Sequence, residues 1–223
     1  MRNIHIIHAS RSRTEQARAT YEAWYRLLKD GDTYHIIVEP DQMIHYDDLP
    51  IWVTNSTTAI EAFNFAAQEL GNGWKNEDIV IALSDDFNEP CDLELIRKYC
   101  PYDGVLKTFD GIQDYIVTLP IMGVEYYCSK GYIYPSQYKH MFADTHLTHE
   151  AELEVKLIIR NDIVIKHNHY SIGGCEKDAL NERNDKTFNE GMQTYLTWAK
   201  SQEKQLTSPE SKALRNWLRQ NGI

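Results

Sequence analysis

The chain has 223 residues, with 33 acidic against 23 basic side chains and a net charge of −10; 42% of it is hydrophobic, 11% aromatic and 25% charged. That length suits one α/β domain with a real core and is tight for two, and the composition excludes a disordered chain. The acidic excess argues against tight, non-specific binding to nucleic acid, which is driven by a basic surface.

The apolar stretch inside "MRNIHIIHASRSR" is too short for a signal-peptide core or a membrane span, and no later stretch reaches that length either. Cys91, Cys100, Cys128 and Cys175 show no CxxC pair or zinc-like spacing, so a reducing cytoplasm is the expected location.

In chain order, "NIHIIHA" (3–9) reads as a first strand, and Ser12 with Glu15 has the spacing of a capping box for a helix that carries Ala17, Tyr21, Trp24 and Leu28 on one face and stops near Gly31. "TYHIIVEP" (33–40) is a second strand. A loop rich in Asp and Tyr leads to a helix over 55–71 with an Ile60, Phe63, Ala67, Leu70 stripe and a stop at Gly71. "DIVIALS" (78–84) is a third strand and 92–99 a short helix. Strands alternating with helices imply a mostly parallel sheet covered on both faces.

Beyond residue 100 the rhythm changes. "GVLKTF" (104–109) and "DYIVTLPIM" (114–122) are strand-like, and "GVEYYCSKG" is a short helix that ends at Gly131. "FADTHLTHEAELEVKL" (142–157) runs from an acid-led loop into a helix, and "DIVIKHNHYSIGG" (162–174) is a further strand finished by glycines. The tail is helical: Phe188, Met192, Tyr195, Leu196 and Ala199 keep helical spacing, and Ser208-Pro209-Glu210 opens a last helix with Leu214, Trp217 and Leu218. "SQEKQLTSPES" is the one candidate hinge.

Ligands of an open parallel sheet bind at the carboxyl ends of its strands. His8 and Arg11 follow the first strand, Asp41 the second, Asp85 and Asp86 the third. The dinucleotide and P-loop glycine motifs are absent. Paired aspartates suit a hard cation held against a diphosphate, but alone the pair reads first as a solvated turn or a cap for the helix near 92. His167 and His169 sit two apart, on one face of a strand, as metal ligands or as part of a half-exposed edge. Asp144 stands before a helix among aromatics, as a desolvated general base or as an ordinary N-cap.

Taken together, "IHIIHASRSRTEQARATYEAW", Asp41, "NSTTAIEAFNFAAQELGNGWKNEDIVIALSDDFNEP" and "GYIYPSQYKHMFADTHLTHEAEL" resemble the GT-A glycosyltransferases of the family 2 type, the short stand-alone viral and bacterial members above all. The resemblance covers about residues 3–170. It implies a GT-A fold, an α/β Rossmann-like mixed sheet flanked by helices, over 1–175, with a C-terminal helical extension over 176–223 packed on the same domain. It places His8, Arg11, Asp41, Asn55, Asn64 and Asp85 at the donor nucleotide, Asp86 with His167 and His169 at a Mn2+ or Mg2+ ion, and Asp144 as the base of an inverting hexosyltransferase.

The implied partners are a UDP-sugar as donor and a glycan or glycoconjugate as acceptor. The C-terminal helices offer an acceptor or homodimer surface, and the location is the cytoplasm, a host's if the chain is viral. The motif departs from the family in having no third aspartate after Asp85-Asp86-Phe87 and no glycine-rich, Glu-Asp pattern before Asp144. The rival readings are a nucleotidyltransferase acting on sugar phosphates, which usually brings a glycine into the loop that here reads "HASRSR", a non-catalytic nucleotide-sugar or carbohydrate-binding module, and transfer to a modified DNA base, which the acidic charge disfavours.

Overall fold

The computed structural model describes residues 2–46, 48–174 and 176–202. The isoleucine-rich run Ile4–Ala9 forms β1, and Thr14–Tyr25 forms α1. β2 (Thr33–Val38), β3 (Ile51–Val53), α2 (Ala59–Leu70), β4 (Ile79–Ser84) and α3 (Leu93–Tyr99) follow. The second part contains β5 (Val105–Phe109), β6 (Ile121–Gly123), α4 (Val124–Lys130), α5 (Ala143–Leu153), β7 (Leu157–Val164), α6 (Ala179–Asp185) and α7 (Phe188–Ser201).

Among the described residues these strands make one sheet in the order β3-β2-β1-β4-β6-β5-β7. β6 runs antiparallel to both neighbours and the other pairings are parallel. A sheet buried on both faces calls for near-continuous apolar strands, and β1 and β4 at its centre come close, with His5 and His8 the exceptions in β1. Ile4 and Ile6 of β1 pack with Trp24 of α1 and Ile96 of α3, whereas Ile7 packs on the opposite face with Phe63 of α2 and Leu147 of α5. Tyr195 and Ala199 of α7 belong to this second core and are fully buried.

Several elements differ from their sequence patterns. Ser12 does not cap α1: its backbone is left-handed (φ 59), Arg13 takes the cap position, and the Ser12 amide and hydroxyl both donate to Gln42 Oε1. Leu28 lies beyond the end of that helix. Gly71 does not stop α2 by a left-handed turn; with φ −65 it carries the chain into one turn of 3-10 helix.

The Asp- and Tyr-rich loop hides β3, which escapes a periodicity reading because it has three residues. Of 114–122 only Ile121 and Met122 are in strand. Residues 110–118 instead wrap around the Asp110 carboxylate, which accepts from the amides of Ile112 and Gln113 and the Thr118 hydroxyl. β7 begins five residues before 162 and ends at Val164, so His167 and His169 are not in a strand. The predicted helix after Ser208 lies outside the described residues, as does Cys175. No helix among the described residues is long and apolar enough to cross a membrane.

Candidate active site

The site begins where β4 leaves the core. Ser84 is the last residue of the strand, and the chain turns at Asp85 and Asp86. Because of that turn the two neighbouring carboxylates are held by different elements.

Asp85 points back into the sheet. It is 5% exposed and its Oδ1 lies 2.9 Å from His8 Nε2. A carboxylate can only accept, so Nε2 carries the proton, and Nδ1 accepts from the Tyr34 hydroxyl at 2.8 Å. Burial, reinforced by the Asp85 charge, holds Tyr34 well above the usual phenol range, which keeps it a donor. The Asp85 carbonyl accepts from Thr20 Oγ1 at 2.9 Å. The β1, β2 and α1 elements thus fix Asp85 from behind.

Asp86 points the other way. Its Oδ1 accepts from Ser84 Oγ at 2.6 Å and its Oδ2 from His167 Nε2 at 3.0 Å. Burial would raise this carboxyl, but the hydrogen bond and charge of His167 and the Ser84 hydroxyl outweigh it and hold Asp86 far below the usual carboxylate range. His167 is itself oriented. Its ring stacks on Phe87 with centroids 4.5 Å apart, its amide donates to the Asp110 carbonyl at 2.8 Å, and the next amide, of Asn168, donates to the Asp86 carbonyl at 2.8 Å.

Asp144 enters from α5. Phe142, with φ 72, turns the chain into the helix, so Asp144 sits in the first turn and is not the N-cap. Its Oδ1 accepts from the Thr145 amide at 2.7 Å and from Thr145 Oγ1 at 3.3 Å. Burial dominates over those bonds and the charge of His167, and pushes Asp144 above the ordinary carboxylate value. The buried Tyr134 lies within electrostatic reach of both Asp144 and Asp86, whose charges add to its burial in raising it.

A cleft of about 440 Å³ opens in front of Asp85 and Asp86, lined by Arg13 and Gln16 at the start of α1, by these two and Asn88 after β4, and by Asn168, Gly174, Glu176 and Asp178. A second buried histidine–carboxylate pair, His5 Nε2 with Asp78 Oδ2 at 3.2 Å, lies at the opposite, amino edge of the parallel strands. There Asp78 also accepts from the amides of Asn3 and Lys75 and ties chain segments together. Identical chemistry at the two edges separates a structural pair from one that borders a cleft.

No protein-family model matches the chain, and a search of curated proteins finds no match. Among solved structures, it superposes on a mutant of Drosophila β-1,4-galactosyltransferase 7 in complex with manganese, UDP-Gal and xylobiose, at 14% identity and a TM-score of 0.54 over 82% of this chain and 78% of that one. This chain has the GT-A glycosyltransferase fold. A mannosyltransferase from Pyrobaculum calidifontis, in complex with GDP-Man and Mn2+, shares the fold at 14% identity and a TM-score of 0.51 over 74% of this chain; the chain spans 56% of that protein.

Within the GT-A frame the expected site residues divide. Asp86 and His167 meet, Asp85 and Asp86 both line the cleft, and Asp144 lies within electrostatic reach of Tyr134 and His167 from the α5 side. His8 is fully enclosed and supports Asp85 instead of facing a ligand. Asn64 is consumed by a backbone clamp: Oδ1 accepts from the amides of Ile133 and Tyr134 and Nδ2 donates to the Tyr134 carbonyl at 2.7 Å, so it positions Tyr134. Arg11 and Asp41 pair with each other at 3.1 Å near the surface, and Asn55 is exposed. His169 Nδ1 accepts from the Ser171 amide and lies 2.7 Å from its hydroxyl, while its ring stays 4.9 Å from that of His167.

Sequence reasoning missed Arg13, Tyr34, Ser84, Tyr134, His140 and Asp178. His140 is within electrostatic reach of Asp86, Arg13 and His169, and burial lowers it. Only Ser84, two residues before Asp86, left a local signal; the others arrive from distant segments.

Proposed function

We propose that this GT-A chain is a metal-dependent inverting glycosyltransferase, a hexosyltransferase that moves a sugar from a nucleotide-diphosphate donor, a UDP-sugar first among them, to an acceptor hydroxyl of a glycan or glycoconjugate. One observation carries the reading: two carboxylates within reach of one tyrosine are pushed in opposite directions, Asp86 far down and Asp144 up. Such a split assigns different roles to chemically equal groups. The ionised Asp86 suits a cation, and the desolvated Asp144 suits a base. The nucleotide sugars and manganese bound to the two solved relatives support the donor class and the metal.

The residues fit a Mn2+ or Mg2+ ion. Each Asp86 oxygen has a lone pair beyond the one engaged by Ser84 or His167. Among the described residues no three His, Cys, Asp or Glu side chains converge as a cage, which suits an ion that takes most of its ligands from water and substrate phosphates. Asp86 would hold it, His167 would orient Asp86, and Asp85, fixed by His8, would meet the donor's ribose or a bound water. The ion would supply electrostatic stabilisation to the diphosphate leaving group.

Asp144 acts on the acceptor. Its carboxylate takes the proton of the attacking hydroxyl as that oxygen bonds to the anomeric carbon, and the bond from that carbon to the diphosphate breaks on the opposite face, which inverts the centre. Burial makes Asp144 a stronger base than an exposed carboxylate, and Thr145 fixes its orientation.

A thermal-shift screen of nucleotide sugars with Mn2+, followed by a transfer assay on the best donor, tests the reading. A rise in melting midpoint that requires both the metal and Asp86 is expected. An equal rise in Asp86→Ala overturns the metal assignment, and no rise with any nucleotide-diphosphate sugar overturns the donor class.

A further inference from the structure

Helix α6 borders the cleft through its N-cap, Asp178. At one end Asp178 grips Arg13 with two parallel bonds, Nε to Oδ2 at 2.7 Å and Nη2 to Oδ1 at 2.9 Å, and Asn181 Oδ1 accepts from the same guanidinium at 3.0 Å. Toward its other end Arg183 donates to the carbonyl of Thr57, in the loop between β3 and α2. The helix therefore ties the start of α1, after β1, to the loop that follows β3.

Among the described residues lining the cleft, Arg13 is the sole cation, set against Asp85, Asp86, Glu176 and Asp178. A planar guanidinium binds a phosphate by the same fork it offers to a carboxylate. In this structure the fork is filled by Asp178, and the Arg13 side chain is 13% exposed.

We infer that Asp178 is an internal competitor for the donor's diphosphate, so that α6 is a latch which must release Arg13 before a nucleotide diphosphate can engage it. The inference rests on the proposed donor class. The latch is separable from the fold of its own helix. Asp178 caps α6 by accepting from the Asn181 amide at 2.8 Å, within a capping box closed by Asn181. Asparagine and serine provide that acceptor as well as aspartate does and carry no charge to hold Arg13.

The test is titration of UDP and of GDP, each with Mn2+, into the full chain and into Asp178→Asn, Asp178→Ser, Arg13→Gln and the Arg13→Gln, Asp178→Asn double variant, with melting midpoints recorded for all. The expected result is that either Asp178 variant binds at least one nucleotide about fivefold more tightly than the parent, less so at high salt, and that the gain vanishes in the Arg13→Gln background. Parent-like affinity in both Asp178 variants overturns the latch and leaves the donor reading intact. A gain of the same size without Arg13 also overturns it, because the charge then acts without the guanidinium. Failure of every protein to bind either nucleotide overturns the latch and the donor reading together.

Discussion

Asp85 and Asp86 are one peptide bond apart and both line the cleft, yet His8 holds the first and His167 the second. His8 is enclosed completely, so its loss would strand a buried carboxylate. His8→Ala should cost about 3 kcal/mol of folding stability, the scale for breaking a buried pair from one side, read by urea denaturation. A loss under about 1 kcal/mol would mean that water replaces the imidazole.

Asp144 behaves oppositely. A carboxyl raised by burial is more stable protonated in the folded chain, so at neutral pH its ionised form is a cost to stability, and that cost grows as pH rises through the unfolded value toward the raised folded one. Asp144→Asn keeps the Thr145 contacts and removes the charge. It should melt no lower than the parent at neutral pH while transfer falls about 10²–10⁴-fold with donor binding retained. In the parent, the rate should fall as pH drops through a point above the usual carboxylate range. Unchanged turnover in the variant would eliminate Asp144 as the base.

At the scale of elements, α7 is fastened to the GT-A core by two neutral histidines of α5. His149 Nδ1 meets the Tyr195 hydroxyl at 2.7 Å, and His146 stacks on Trp198 with ring centroids 3.9 Å apart and meets the Tyr138 hydroxyl at 2.9 Å. Burial lowers His146 to about 3 and His149 to about 4. Both folded values lie below the unfolded value near 6.5, so the unfolded chain takes up protons first as pH falls. Stability should therefore be lost from about pH 6.5 downward, by up to about 1.4 kcal/mol per pH unit for each histidine. Denaturation series monitored by tryptophan fluorescence between pH 7 and 5 would show it, and His149→Gln should flatten the slope; an unchanged slope would place the protons elsewhere.

The same elements show what a sequence discloses. The apolar runs of β1, β2 and β4 and the stripe of α2 were legible because burial on both faces leaves few alternatives, and "SDDF" was legible because polar groups end such a run. His167 and His169 were misread because a spacing of two imitates a strand. Ser12 was misread because its spacing to Glu15 does not report a left-handed backbone. Tyr34, Arg13 and Asp178 carry no local pattern at all, since their roles exist only where β1, β2, β4 and α6 meet.

The whole molecule sets an electrostatic problem. The chain carries a net charge of −10, and its cleft presents Asp85, Asp86, Glu176 and Asp178 against Arg13. A diphosphate approaching such a surface gains nothing from long-range steering, and Arg13 is already paired. A divalent ion on Asp86 reverses the local sign. One charge pair at about 4 Å is worth roughly 4 kcal/mol at an effective dielectric near 20, and desolvation consumes part of it. Chelation with EDTA should therefore weaken UDP binding by about a hundredfold, or about 3 kcal/mol. Asp86→Ala should bind UDP at that same low affinity with or without Mn2+, whereas Asp41→Ala, which alters an exposed pair with Arg11, should keep the full metal response. Calorimetric titration of the three proteins with and without Mn2+ checks this. If the chelated parent binds UDP as tightly as the metal-loaded one, Arg13 and backbone amides suffice for the diphosphate, and the Asp86–His167 pair serves only to pin the segment after β7 to the end of β4.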